Sequence, residues 1–454
     1  MCCGGISLSH HSSVSKFRGA TAIYDLGSAF FDPVESADFN CVGQRYFDKT
    51  LSSSLGLNLT PDQVEAHFLR FEPLPDSLPQ PLALRYHGHQ FRQYNPNIGD
   101  GRGFLFAQCE AGGKLLDFGT KGSGTTPYSR SGDGRLTLLG GVREVLAALY
   151  LERLGVNTSR AFALFETDEA LQRNDEPSPT RAAVLTRLSH SHIRFGTFQR
   201  QAFHGDREAL ERLSAYCIQN FYSDAPSTEE MFDAVVTASA YTVASWMAAG
   251  FVHGVMNTDN MNITGESFDY GPYRFLPMLD PQYTAAYFDH SRLYAFGRQP
   301  EAMSWNLAQL GQSLSLICED GPLIASLSDF GDRYQRALNH HVFRRLGVAS
   351  KTPKADTEFV RDTFIYLQES EANWPNFWHD WQGGAGRADT AQRGEYDADW
   401  IAKLKGFDAI SDAPQTDAPE SLLYAEIGEI WQPIAEDDDW TAFEQKVVRL
   451  KSRP

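Results

Sequence analysis

Apolar residues recur at helical spacing in some stretches of the chain and cluster in short β-prone runs in others. Within residues 141–154, Val142, Leu146, Leu149 and Leu154 fall at near-helical intervals, and Gly155 offers a stop, so a helix is predicted there. Residues 114–121, 161–165 and 182–188 read as strands. The stretch from Glu166 to Thr180 is polar and proline-bearing and reads as an exposed loop. Thr60 followed by Pro61 reads as an N-cap with proline at the first helical position, and residues 73–81 as a proline-rich connector. Beyond residue 206 the pattern turns helical, over 206–223, 228–250, much of 300–350, and 355–368. Residues 382–395 read as a loop or linker, and the acidic run Glu436 to Asp439 as a solvated cap before a last helix. The uncharged run 234–252 contains Thr, Ser and Tyr and ends at His253-Gly254, so it reads as a buried helix rather than a membrane span. Strands early and helices late predict an α+β fold. No repeat or low-complexity tract is present.

Composition narrows the classes. The 454 residues suffice for two to four domain-sized units, and 42% hydrophobic with 22% charged residues is ordinary for a soluble globular protein. A net charge of −18 argues against nucleic acid and anionic membrane as partners, since both need a basic face. It leaves room for an anionic ligand held by a local Arg and Lys cluster. The six cysteines form no C-x-x-C pair and are too sparse for a disulfide framework, which favours a reducing compartment. The Cys2-Cys3 and His10-His11 pairs lack metal-site spacing. A cytoplasmic location is expected; residues 1–24, with no acidic residue, leave a mitochondrial transit peptide as the minor alternative.

Candidate chemistry concentrates in two places. Asp259, Asn260 and Asp269 lie within residues 251–274. A phosphoryl-type transfer needs one carboxylate for the attacking hydroxyl and oxygen ligands for Mg2+, and these three residues can supply both. The intervening residues are long enough for a tight turn and a short strand. The alternative is an Asx-rich turn with no chemistry. Upstream, Gly99, Gly101 and Arg102 belong to a Gly-x-Gly-x-Gly run that leads into a β-prone segment, unlike a Rossmann loop, and is read as a hairpin lid. No Walker A motif is present. Residues 122–135 are dense in glycine and hydroxyls, as a phosphate-binding loop would be, or a flexible surface loop. Glu144 falls in the first turn of its predicted helix, 23 residues after Lys121. Arg187 and Arg194 flank Ser189-His190-Ser191-His192 and can fork onto phosphate, although a single Arg is more often a surface ion pair. His87-Gly88-His89 has no third ligand at helical spacing and reads as a pair of structural histidines.

A glycine-rich segment, a strand ending in Lys, a helix bearing Glu, and then Asp, Asn and Asp-x-Gly form the layout of a protein-kinase-like fold. Four motifs sharpen it: Lys121-Gly-Ser-Gly-Thr-Thr-Pro-Tyr-Ser-Arg-Ser-Gly-Asp-Gly134, Arg187-Leu-Ser-His-Ser-His-Ile-Arg194-Phe-Gly, His253-Gly-Val-Met-Asn-Thr-Asp-Asn-Met261 and Asp269-Tyr-Gly-Pro-Tyr. In this order they closely resemble the selenoprotein O family, strongly over residues 80–300 and weakly at the ends. The resemblance implies a bilobal fold, with a small β-rich N-lobe carrying one key helix and a larger helical C-lobe. It divides the chain into an N-terminal extension (1–95), the N-lobe with the nucleotide loop (96–195), the C-lobe with the catalytic and metal-binding segment (196–350), and a helical C-terminal extension (351–454).

The resemblance also implies transfer of AMP, rather than phosphate, from ATP to Ser, Thr or Tyr hydroxyls of proteins, with ATP held γ-phosphate inward. By motif, Gly99, Gly101 and Arg102 would sit in the nucleotide loop, and Lys121 would hold phosphate and pair with Glu144. Asp133, Gly134, Arg187 and Arg194 would complete the ATP site. Asp259 would be the general base, and Asn260 and Asp269 the ligands of Mg2+, or of Mn2+ in its place, with Asp269 also facing the nucleotide. A monomer is expected. Some members end in a selenocysteine- or cysteine-containing tail; with no Cys after Cys318, redox control through a tail is not expected here. The rival readings are a kinase on the same fold and a non-catalytic nucleotide-binding scaffold.

Overall fold

The computed structural model describes residues 16–174, 176–384, 398–410 and 418–452. The Cys2-Cys3 and His10-His11 pairs and most of segment 382–395 lie outside them.

Short strands dominate the first half: β1 (Gly19–Ala20), β2 (Phe31–Pro33), β3 (Cys41–Phe47), β4 (Leu82–Leu84), β5 (Gly88–Gln90), β6 (Gln93–Asn95), β7 (Leu105–Ala111), β8 (Lys114–Lys121), β9 (Leu136–Thr137), β10 (Arg160–Leu171) and β11 (Thr180–Ser189). Among them lie helices α1 (Lys49–Ser54), α2 (Pro61–Phe68) and α3 (Leu138–Arg153). Helices then take over: α4 (Phe195–His204), α5 (Arg207–Phe221), α6 (Thr228–Ala249), α7 (Gln299–Leu314), α8 (Asp320–Ser328), α9 (Phe330–Leu346), α10 (Pro353–Ser370), α11 (Trp374–Trp381), α12 (Ala398–Leu404), α13 (Tyr424–Asp437) and α14 (Thr441–Lys451). Strands β12 (Phe251–Val252) and β13 (Arg274–Phe275) bracket the segment that carries Asp259 and Asp269. The chain is thus α+β, sheet-rich first and helical afterwards.

One sheet has the order β2-β4-β7-β8-β11-β10-β3, with β1 also pairing β7 and β9 pairing β11. Strands from before residue 95 therefore share a sheet with those after it. Helix α3 lies on β10 and β11, and its apolar residues Val142, Val145, Leu146 and Leu149 are buried there. The Thr60 cap is realised in full, with Thr60 and Gln63 exchanging hydrogen bonds as a capping box. Helix α6 buries most of its length, as expected for the uncharged run 234–252; among the described residues no helix is long and apolar enough to cross a membrane.

Four expectations change. The exposed loop between β10 and β11 shrinks to residues 172–179, because polar Glu166 lies buried in β10, bonded to Arg45 at 2.7 Å and to Arg181. Paired charge let a polar stretch stay in the sheet. The glycine run at 98–104 forms no hairpin lid: β6 pairs with β5, not with β7. Instead the run is crossed by the 126–129 segment, where Thr126 and Ser129 donate to the carbonyls of Asp100 and Gly101. Helix α3 begins at Leu138 rather than residue 141, since Thr137 accepts from the Gly140 N–H as N-cap. The acidic run is not wholly solvated, because Asp438 bonds Arg45 and Arg181 and ties the C-terminal helices to the sheet.

Candidate active site

Strand geometry explains the first cluster. In the β8–β11 pair, Lys121 is opposite Leu185 and Arg187 is opposite Gly119. Opposed residues share a face and the face repeats every second residue, so Lys121 and Arg187 point the same way. That face carries α3, and both side chains meet Glu144. Lys121 Nζ pairs directly with Glu144 Oε1, and Arg187 donates to Glu144 Oε2 at 3.3 Å. Lys121 also donates to Asp269 at 2.6 Å. All four groups are largely buried.

Arg194 is the residue before α4. Its guanidinium donates to the Asp259 carbonyl at 2.7 Å and to Asp100 at 3.3 Å, and lies over the Tyr86 and Phe268 rings. Asp100, Tyr86 and Phe268 carry no motif signal of their own; only Asp100 could have been suspected, from its place inside the glycine run. His253 Nε2–H donates to the Phe268 carbonyl at 3.2 Å, fixing the residue before Asp269. Asp269 itself has φ of 62°, a left-handed conformation that Asp tolerates better than most residues. Between Asn260 and Asp269 the expected short strand is absent. The chain turns at Asn262–Gly265 and makes two isolated bridges, Asn262 with Arg194 and Ser267 with Thr158.

These groups line a cleft of about 750 Å³. Its walls bring together Gly99, Gly101, Arg102, Lys121, Asp133, Gly134, Arg187, Arg194, Asp259, Asn260 and Asp269, while Glu144 supports Lys121 from behind. Every sequence-predicted site residue is therefore at the cleft or touching a residue that is. Gly134 shows why the loop is glycine-rich: its φ is +69°, and a Cβ there would come within 2.2 Å of the Gly124 carbonyl oxygen. Asp133 is held by Arg173 at 2.8 Å. Arg173 and Gln172 come from the 172–179 loop, which sequence had no reason to place at the site.

The two acids at the centre differ in kind. Burial raises the Asp269 carboxyl, but Lys121, Arg187, Arg194 and Arg102 outweigh it and hold Asp269 well below the usual carboxylate range. Asp259 is pushed up to about 6, chiefly by burial and also by Asp269, with Arg194 opposing. Its Oδ1 is buried without a hydrogen-bond partner. A carboxylate poised near neutral pH, with a bare oxygen, suits a general base. Asn260 donates from Nδ2 to the Val255 carbonyl at 3.0 Å, which leaves its Oδ1 available to another ligand.

A family model described as protein adenylyltransferase SelO matches residues 14–396. The chain belongs to the SelO family. It is 43% identical to the protein nucleotidyltransferase YdiU of Synechocystis, over 95% of this chain and 97% of that protein. It is 39% identical to the one of Trichormus variabilis, over 98% of each, and 37% identical to that of Vibrio cholerae, over 78% of this chain and 72% of that protein. As a SelO-family member the chain is a nucleotidyltransferase enzyme, and the cleft is where its cationic and acidic groups converge.

Behind the cleft, Glu266 gives a test of how the site is built. It is buried and accepts from the His190 N–H at 3.1 Å. Burial pushes its carboxyl up to about 8, against the His190 N–H and Arg187. A raised acid contributes stability that is complete below its unfolded value, near 4, and is lost as pH rises through 8. Wild type should thus lose roughly 3 kcal/mol more stability than Glu266→Gln between pH 5 and pH 8.5. Urea denaturation at the two pH values measures it; equal losses would contradict the assignment.

Proposed function

We propose that this chain transfers AMP from ATP to Ser, Thr and Tyr hydroxyls of proteins, using a protein-kinase-like arrangement with the nucleotide reversed. The position of the cations carries this reading. Lys121, Arg187 and Arg194 are buried, whereas Arg102 and Arg130 are exposed. A buried floor of three cations from three segments suits the β- and γ-phosphates better than a purine. Phosphates held there could not be offered to an acceptor, which leaves the α-phosphate toward Asp259. The lobe-like order, the Lys121–Glu144 pair and the Asp259, Asn260 and Asp269 set support a kinase-like ancestry.

In the reaction, Asp259 would take the proton of the acceptor hydroxyl through its bare oxygen. The hydroxyl oxygen bonds to the α-phosphorus as the bond to the β-phosphate bridging oxygen breaks. Pyrophosphate leaves, and its developing charge falls among Lys121, Arg187 and Arg194, where fixed cations stabilise it most. Asn260 and Asp269 offer only oxygen, one amide and one ionised carboxylate, which fits Mg2+, or Mn2+ in its place. Two protein ligands match the preference of Mg2+ for a shell completed by phosphate and water. When bound, the ion would neutralise phosphate charge. Glu144 fixes Lys121, and Asp133 with Gly134 shapes the loop over the nucleotide.

The test uses ATP labelled at the α position and, separately, at the γ position. Label from the α position, and an added AMP by mass spectrometry, are expected on this protein or on added proteins. Asp259→Ala should lower the rate by ~10²–10⁴-fold. Label retained from the γ position alone would make it a kinase.

A further inference from the structure

The His87-Gly88-His89 run belongs to a hairpin that grips the segment bearing Asp259. Strands β5 and β6 pair Gly88 with Asn95 and Gln90 with Gln93, turning at Phe91 and Arg92. Three successive hairpin residues bind three successive residues of the catalytic segment. The His89 N–H donates to Thr258 Oγ1 at 2.7 Å, Gln90 Nε2 to Asp259 Oδ2 at 3.4 Å, and the Phe91 N–H to Asn257 Oδ1 at 3.0 Å. Each anchor is itself held. Thr258 Oγ1 donates to Gln199 Oε1 at 2.6 Å, and Gln199 Nε2 donates to His89 Nδ1 at 2.8 Å, closing a ring. Tyr294 donates to the same Asn257 oxygen at 2.9 Å.

Gln90 is oriented as well as placed. Asn95 donates to Gln90 Oε1 at 2.9 Å, which leaves Nε2 for Asp259. Among the described residues Gln90 is the only side-chain donor to the Asp259 carboxylate. On the other side, a Cβ at Gly88 would come within 2.7 Å of Asp259 Oδ1. The hairpin thus holds one carboxylate oxygen by a hydrogen bond and leaves room for the other by lacking a side chain. Its turn is strained: Phe91 and Arg92 have φ of 49° and 63°, which non-glycine residues rarely adopt. Phe91 packs against Phe288 and Tyr294, and its N–H is committed to Asn257, so the surroundings hold the turn in place.

We infer that the Gly88–Asn95 hairpin is the template that aims the general base, with Gln90 as a positioning residue acting through Asp259. This rests on Asp259 being the base for AMP transfer. The geometry assigns the hairpin to the acceptor side of the reaction, apart from the cations that would hold the phosphates.

Two variants of the full chain test it from opposite sides. Gln90→Leu removes the hydrogen bond and keeps the bulk; Gly88→Ala removes no hydrogen-bonding group and crowds Oδ1. Each should lower kcat for AMP transfer to a protein hydroxyl by roughly 10- to 100-fold, the scale of a misaimed catalytic group. ATP affinity, measured by calorimetry, should stay within about twofold. In an Asp259→Asn background, Gln90→Leu should change the residual rate less than about twofold, because its partner is already gone. Undiminished kcat in both variants overturns the inference. So does a fall in ATP affinity or in denaturation midpoint that matches the fall in rate, since that marks a merely structural hairpin. Wild type that transfers no AMP would defeat the proposed function; wild type that does, with variants undiminished, would defeat only the hairpin's role.

Discussion

Asp269→Asn is expected to lower turnover by ~10³-fold or more. The substitution removes one charge and almost no volume. Asparagine also tolerates the left-handed backbone that Asp269 adopts at φ 62°, so the loss cannot be assigned to strain. Alanine would add roughly 1 kcal/mol of such strain and is the poorer test. The carboxylate is held ionised by the surrounding cations in spite of its burial, which is what a ligand for a hard divalent cation requires. Without it Lys121 keeps Glu144, so the cationic floor stays in place. Metal-free ATP binding should therefore persist, while the gain in affinity on adding Mg2+ disappears. Calorimetry with and without Mg2+, beside a rate measurement, separates the two. Full activity of Asp269→Asn at ordinary Mg2+ would sink its assignment as a metal ligand.

Lys121→Met should also be strongly damaging, lowering kcat/KM by ~10²–10³-fold. Methionine keeps most of the stem and deletes the charge. Two effects then separate. The leaving pyrophosphate loses a fixed cation, which lowers the rate. Glu144 and Asp269 lose their shared partner inside the protein, which lowers stability by ~3 kcal/mol, because a broken buried pair leaves carboxylates uncompensated. Arg187 still bonds Glu144 at 3.3 Å and limits that loss. Denaturation measures the stability effect and AMP transfer the rate. A Lys121→Met protein as active as wild type would remove Lys121 from the phosphate site, whatever its stability.

The C-terminal helices were legible as helices but not as a support for the helix behind this site. Helix α14 packs on α3, the helix of Glu144, and Arg153 of α3 donates to the Arg449 carbonyl at 3.2 Å. Lys446 is fully buried and donates to Glu426 at 2.6 Å and to Glu420. Nothing in the local pattern of residues 441–451 marks Lys446 as a core residue. A lysine reads as exposed until its partners, 20 and 26 residues upstream, are seen to converge on it.

The division follows from the range of the forces. Local signals settled what local physics controls. Thr60 and Pro61 fixed a helix start, the spacing of Val142, Leu146 and Leu149 fixed a buried helix face, and the dense glycines of 122–135 marked a loop that must turn tightly. Asp259, Asn260 and Asp269 could be named because a carboxylate base and two oxygen ligands fall within one short stretch, as their chemistry demands. Tertiary structure decided the rest. Glu166 could sit in a strand only because Arg45 and Arg181, from β3 and β11, arrive to neutralise it. Arg194 could be buried only because Asp100, Tyr86 and Phe268 meet it from three separate segments. The grip of Gln90 on Asp259 spans 169 residues. Burying a charge or aiming a carboxylate is favourable only when distant partners arrive together, and a sequence read in windows does not hold that information.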